Sequence, residues 1–356
     1  MQITVARPAE LGPREIAAWR WLQGQSPALA SPFLCPEFAV VVGDCKPGAR
    51  VAVLADGGQL TGFFPFERRR FGLGAPIGAG LNDSQGLIYA PGTDLDPRQL
   101  LRACGLSEWQ FDHLVEGQPS FAPYTTVVSP SPVIDLADGF EAYAGRLRAR
   151  SPQFCRDTAR KARKLERERG ELRLEADSRD PARLRALMAW KSGQYRRNGW
   201  VDVFDRPWIA ELVERLFGTH EATFQGLLSV LYAGDKPVAA HFGLRAGRVL
   251  AHWFPAYDAR FGQHSPGLIQ HLRMAEQTAA LGVELIDMGT GTERYKQTLR
   301  SHDVMVGAGA VTRGPVAAGA HRLRAAGERW ARQQARRHPP LFRAANRVLR
   351  HYGRVS

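Results

Sequence analysis

Apolar and polar residues follow two different periods along this chain, and the change from one to the other divides it. Up to about residue 135 the apolar runs are short and broken by glycine and proline. Arg50-Val51-Ala52-Val53-Leu54-Ala55 leads through Asp56-Gly57-Gly58 into Leu60-Thr61-Gly62-Phe63-Phe64-Pro65-Phe66. An Asp-Gly pair between apolar runs predicts a hairpin, because the tight turn needs residues that accept positive φ. Apolar spacing predicts a helix over Arg14 to Leu22. A further strand pair is expected near Gly86-Leu87-Ile88-Tyr89 and Phe111-Asp112-His113-Leu114. Together these describe an α+β lobe over 1–138.

From Gly139 to Gly170 the period becomes helical, with Ser151 as cap, Pro152 at the first helical position and Gly170 as the stop. Arg156, Arg160, Lys161, Arg163, Lys164 and Arg167 crowd this stretch, which faces water or an anion. A second unit over 171–312 follows. It starts with strand Leu172 to Glu175, a helix from Pro181 to about Arg197, the loop Asn198 to Asp205, and a helix from Pro207 to Phe217. Three strands in a meander come next, Phe224 to Tyr232, Pro237 to Leu244 and Arg248 to Pro255, then a helix from Pro266 to Leu281 and a strand Leu285 to Met288.

Composition adds little to this picture and charge adds more. At 356 residues, with 44% hydrophobic and 23% charged, most of the chain should fold, as two lobes with appendages. No signal segment or apolar span is evident, so the expected location is cytoplasmic. Cys35, Cys45, Cys104 and Cys155 have neither metal-ligand nor disulfide spacing, and no metal is expected. The net charge of +13 calls for something anionic, whether nucleic acid, lipid headgroups or a phosphorylated cofactor. The Arg-rich stretches carry few aromatics, which argues against a nucleic-acid platform.

The candidate chemistry sits after the meander. Gln263-His264-Ser265-Pro266-Gly267-Leu268 opens the long helix. A helix start offers unpaired N–H groups and the positive end of the dipole, which suits a pyrophosphate. Ser265 is the expected cap, Pro266 the first helical residue, and Gly267 allows close approach. The alternative is an ordinary capped helix.

The element order given above resembles that of an acyltransferase domain, and the resemblance implies amide formation, which needs a deprotonated amine and a polarised thioester carbonyl and so a carboxylate or imidazole within reach. His252 and Asp287 at or near strand ends are candidates for that base, beside the alternative of a satisfied core His and a cap-like Asp. Tyr295 could protonate a departing thiolate, and Lys296 could hold a phosphate or an anionic acceptor. Trp200 and Phe204 in the loop 198–205 stack on a sugar, cover an acyl chain, or pack on themselves.

The order of strand, two helices, meander, helix and strand resembles that of a GNAT acyltransferase domain, whose sheet splays open for acyl-CoA. The resemblance is closer still in particular residues. Trp253-Phe254-Pro255-Ala256-Tyr257-Asp258, Ser265-Pro266-Gly267-Leu268, Gly282, Asp287-Met288-Gly289-Thr290-Gly291 and Tyr295-Lys296 resemble the GNAT-like family named for the cellulose-biosynthesis protein CelD, itself related to the Fem peptidyltransferases. A weaker likeness spans roughly 30 to 305. It implies an α/β (α+β) fold of two GNAT-like lobes with mixed, mainly antiparallel sheets flanked by helices. It also implies acyl-CoA as donor and N-acylation of an amino sugar in envelope or exopolysaccharide metabolism.

Family members commonly carry an Asp-Tyr pair in the first lobe, where this chain has Asn82-Asp83-Ser84-Gln85-Gly86, so Asn82 and Asp83 are candidates for acceptor binding. Competing readings are long-chain N-acylation of a lipid amine such as a sphingoid base, and a degenerate scaffold binding a nucleotide or cyclic dinucleotide.

The stretch 313–356 is basic and amphipathic, with Leu323, Ala326 and Trp330 on one side and Leu341, Phe342, Ala345, Val348 and Leu349 after Pro339-Pro340. Such a segment suits an anionic membrane surface, each arginine adding roughly 1 kcal/mol, and would place the protein at the inner membrane face.

Overall fold

The computed structural model describes residues 1–93, 95–315, 317–319, 321 and 323. The N-terminal half runs β1 (Gln2–Ala6), α1 (Pro13–Gln23), α2 (Pro36–Cys45), β2 (Ala49–Asp56), β3 (Gln59–Arg68), β4 (Leu73–Pro76), β5 (Ile88–Tyr89), α3 (Pro97–Ala103), β6 (Glu108–Leu114) and β7 (Thr125–Asp135). Two helices, α4 (Phe140–Arg150) and α5 (Pro152–Arg169), lead on to the C-terminal half. This comprises β8 (Leu172–Glu175), α6 (Pro181–Arg197), α7 (Pro207–Phe217), β9 (Phe224–Ala233), β10 (Lys236–Ala246), β11 (Val249–Tyr257), α8 (Pro266–Ala280), β12 (Leu285–Asp287), α9 (Arg294–Leu299) and β13 (His302–Thr312).

All the described strands belong to one mixed sheet, ordered β1-β2-β3-β4-β6-β13-β7-β12-β11-β10-β9-β8 with β5 beside β3. Each half repeats one pattern. Four strands pair antiparallel, a fifth joins parallel (β6 on β4, β12 on β11), and a sixth antiparallel strand closes the set. The sixth strands are exchanged: β13 pairs with β6, and β7 pairs with β12. β7 and β13 then pair with each other and fuse the halves.

The hairpin at Asp56-Gly57-Gly58 forms as expected, with positive φ at both glycines. Two expectations need correction. Ile88–Tyr89 pairs with β3 and not with β6, and a single bridge from Gln85 to Leu114 joins this part of the chain to the end of β6. Ser151 holds the cap position where Pro152 ends the hydrogen-bond ladder of α4 and opens α5, but it makes no side-chain cap bond.

The largest core joins the halves. Trp19 of α1, Phe33 in the turn before α2 and Phe38 of α2 pack with Leu212 and Leu216 of α7 and Phe242 of β10. A second core behind β12 contains Ile134, Leu250, Met274, Ile286 and Leu299. Among the described residues no helix is long and apolar enough to cross a membrane. Of the residues grouped in the basic C-terminal stretch, Leu323 is exposed, and those from 324 onward lie outside the described residues.

Candidate active site

β11 and β12 run parallel but pair only from Val249–Leu285 to Ala251–Asp287. β11 then continues for six residues to Tyr257 while β12 stops, so a wedge opens between His252 to Pro255 on one side and Met288 to Gly291 on the other. Gly289, at φ +68, and Gly291 carry the chain away from the sheet. A Cβ on Gly289 would lie 2.7 Å from Asp83 Oδ2, so a glycine lets that carboxylate approach the backbone.

Tyr295 and Lys296 start α9 at the mouth of this wedge. Lys296 Nζ donates to the carbonyls of Thr290 (2.8 Å) and Gly289 (3.3 Å), with Glu293 3.8 Å away. The Tyr295 ring stacks on His271 of α8 at 4.9 Å, and burial with the Glu293 charge pushes its phenol well above the usual range. Behind it, His271 Nδ1 meets His252 Nε2 at 3.2 Å, and His252 stacks on His241 at 4.3 Å. Burial and the neighbouring cations hold all three imidazoles down, His271 to about 4 and the other two well below the ordinary value, so the stack is neutral. His252 thus reaches the wedge through His271 and Tyr295. Lys191 of α6 donates to the Pro255 carbonyl at 3.1 Å, and burial lowers its ammonium to about 8.

Asp287 sits on the opposite side, at the last paired position of β12. Its Oδ1 accepts from Gly289 N (2.9 Å) and Ser131 Oγ (3.0 Å), while burial raises its pKa despite those bonds. Facing it across the halves is Asp83, whose side chain keeps 32% exposure and whose carboxyl is pushed up by burial to about 6. Asn82 is buried and occupied structurally: its amide donates to Ile77 O (3.0 Å) and accepts from Ser84 N (2.8 Å). Trp253 Nε1 pins the same turn by donating to Leu81 O at 2.9 Å. Asn82 therefore shapes the turn that presents Asp83.

The start of α8 is less simple than expected. Ser265 holds the cap position in a left-handed conformation (φ 50°) with no side-chain cap, and its hydroxyl meets Lys161 Nζ of α5 at 2.8 Å. Pro266 at the first helical position has no N–H to be capped. Leu268 lines a groove of about 650 Å³ with Arg150, Lys161, Arg294 and Tyr295. His264 is buried and pairs with Glu168 at 3.2 Å, Gln263 is exposed beside it, and Gly267 packs near Tyr257. Trp200 is exposed near Tyr195, and Phe204 packs on Phe254 at 5.3 Å.

Sequence reading missed His113, Asp112, Gln85, Thr290 and Lys191. His113 Nδ1 meets Asp112 Oδ1 at 2.9 Å, and its Nε2 faces Thr290 Oγ1 at 2.9 Å and Asp83 Oδ1 at 3.8 Å. Burial draws His113 down, but the Asp112 hydrogen bond and the charges of Asp83, Asp112 and Asp287 outweigh it, and its pKa lies above the ordinary value. The one available signal was the Asp112-His113 pair on a predicted strand.

A mixed sheet flanked by helices, with a parallel pair that separates after three residues, is the GNAT-type acyltransferase fold. Residues 153–297 match the family model of the acetyltransferase (GNAT) domain. The C-terminal domain of a putative lysylphosphatidylglycerol synthetase from Agrobacterium fabrum is similar at a TM-score of 0.52 and 11% identity, over 88% of this chain and 95% of that one. FemX is similar at a TM-score of 0.51 and 10% identity, over 87% and 96%. At such identities the likeness is one of fold. No curated protein matches the chain.

Proposed function

We propose that the protein is an acyl-CoA-dependent N-acyltransferase, with the thioester in the wedge between β11 and β12 and the amine arriving from the N-terminal half. The observation that carries this reading is the early end of the β11–β12 pairing at Ala251 and Asp287, which leaves one edge of β11 without a strand partner among the described residues. A thioester carbonyl laid along that edge accepts from backbone N–H groups, which stabilise the oxyanion as the amine attacks. The groove lined by Arg150, Lys161 and Arg294 continues from Tyr295 and suits the phosphates of CoA.

The rest of the chemistry falls to side chains at the mouth. Tyr295 keeps its proton at neutral pH and gives it to the thiolate as the C–S bond breaks. Asp83 and Asp287 attract an ammonium to the opposite side, and Lys296 fixes the Gly289–Thr290 turn between them. The polar surroundings formed by Asp83, His113, Thr290 and Lys296 suit a hydroxyl-bearing amine, and an amino sugar is the acceptor class we favour.

The test is thermal stabilisation of the whole chain by a ladder of CoA thioesters from acetyl to palmitoyl. A ligand at a hundredfold its dissociation constant adds about 2.7 kcal/mol. A shift led by acetyl-CoA, with thiol release on adding an amino sugar, is expected. A shift that grows with chain length favours the lipid-amine reading, and no shift with any donor contradicts the proposal.

A further inference from the structure

We infer that His113 of the N-terminal half is the general base that deprotonates the acceptor amine, oriented by Asp112. This rests on the acyltransferase reading and assigns the exchanged half a direct part in the chemistry.

The geometry has three parts. An ionised carboxylate only accepts, so the 2.9 Å contact places a proton on Nδ1 of His113 and leaves the lone pair on Nε2. Gln85 fixes the pair: its Nε2 donates to Asp112 Oδ1 (2.7 Å), and its Oε1 accepts from the N–H groups of Asp112 (3.0 Å) and His113 (3.1 Å). Nε2 then points across the junction at Thr290 Oγ1, on the turn that Lys296 holds at the wedge. With 18% of its side chain exposed, His113 is open to an acceptor. The buried His252, by contrast, is spent on His271.

The ammonium gives one proton to Nε2, and the resulting imidazolium is stabilised by Asp112, Asp83 and Asp287. The freed amine attacks the thioester carbon, the C–N bond forms and the C–S bond breaks. The second amine proton passes to water as the tetrahedral intermediate collapses, Tyr295 supplies a proton to the CoA thiolate and regains one from water, and the His113 imidazolium releases its proton to water, so that ammonium and thioester give amide, thiol and one free proton. The charged groups facing His113 are Asp112 on β6, Asp83 on the turn after β4 and Asp287 on β12, and Lys296 on α9 acts on Asp83. The three acids outweigh burial, so the rate rises with pH through a value above that of a free imidazole.

The experiment uses the full chain, acetyl-CoA as donor, and two acceptor probes, glucosamine, largely cationic at pH 7, and hydroxylamine, neutral there. His113→Gln should lower the glucosamine rate roughly a hundredfold or more and the hydroxylamine rate far less. Donor-induced thermal shift should be unchanged. Asp112→Asn should move the acidic limb of the pH profile to lower pH. Equal loss with both acceptors, or no loss, would overturn the assignment and leave His113 a structural residue. Ring ¹⁵N shifts give a readout independent of turnover: the Nδ1–H tautomer supports the proposal, and an Nε2–H tautomer sinks it. A wild-type chain that binds no CoA thioester defeats the acyltransferase reading itself, and the base assignment falls with it.

Discussion

Tyr295 is held by a ring stack on His271 with planes 16° apart, so removing its hydroxyl should leave its position unchanged. Tyr295→Phe is expected to lower kcat roughly 10²-fold or more at unchanged melting temperature, measured by thiol release. Asp83 shows the opposite balance. Its carboxyl is raised to about 6, so burial disfavours its charged form, and the cost to folding is absent below about pH 4 and complete above about pH 6. Asp83→Asn should therefore melt higher than the parent at pH 7, with the gap growing from pH 4 to 6 and level above, while turnover falls. Melting curves across that range check the sign. Asp287 was legible in the sequence as an acid near a strand end, and Asp83 only through the family resemblance, at the place of the first-lobe Asp-Tyr pair. His113 was not, because a lone histidine on a strand reads as an ordinary core residue, and the Thr290 it faces is 177 residues away.

The elements from β8 to β12 were readable because each carries its own local signal. Turns Gly234 and Gly247 take positive φ between meander strands, and prolines open α6, α7 and α8. β7 and β13 gave no such signal, since their pairing is settled only by strands far away in sequence. The contact of α5 with α8 through Lys161 and Ser265 is likewise invisible locally. Lys161→Ala should raise the KM for acyl-CoA several-fold with little change in kcat, the sign of an interaction made equally in ground and transition states. Packing of α7 on β9 depends on Gly226, where a Cβ would lie 2.2 Å from the Leu216 carbonyl. Gly226→Ala should cost about 1–3 kcal/mol or more, read from denaturant unfolding.

Exchange of β7 and β13 makes the molecule one folding unit in spite of its repeated pattern. Each half needs the other to complete its sheet, and the shared core around Trp19, Phe38, Leu216 and Phe242 crosses the junction. Calorimetry of the whole chain should give one transition, and a fragment of residues 1–138, lacking β13, should not fold alone. Two separated transitions would show that the halves are independent. The two wedges of the repeat also differ. In the N-terminal half Gln85 runs beside the end of β6, with its N–H on the His113 carbonyl at 2.8 Å, whereas β11 beyond Ala251 has no such neighbour on that edge among the described residues. The central claim is that the C-terminal wedge alone takes the donor. Photo-crosslinking with an acyl-CoA analogue reactive at the acyl end, mapped by mass spectrometry, tests it most directly. Labels between residues 252 and 298 that are suppressed by excess acetyl-CoA are the expected result, and suppressible labelling confined to residues 1–138 would contradict the account.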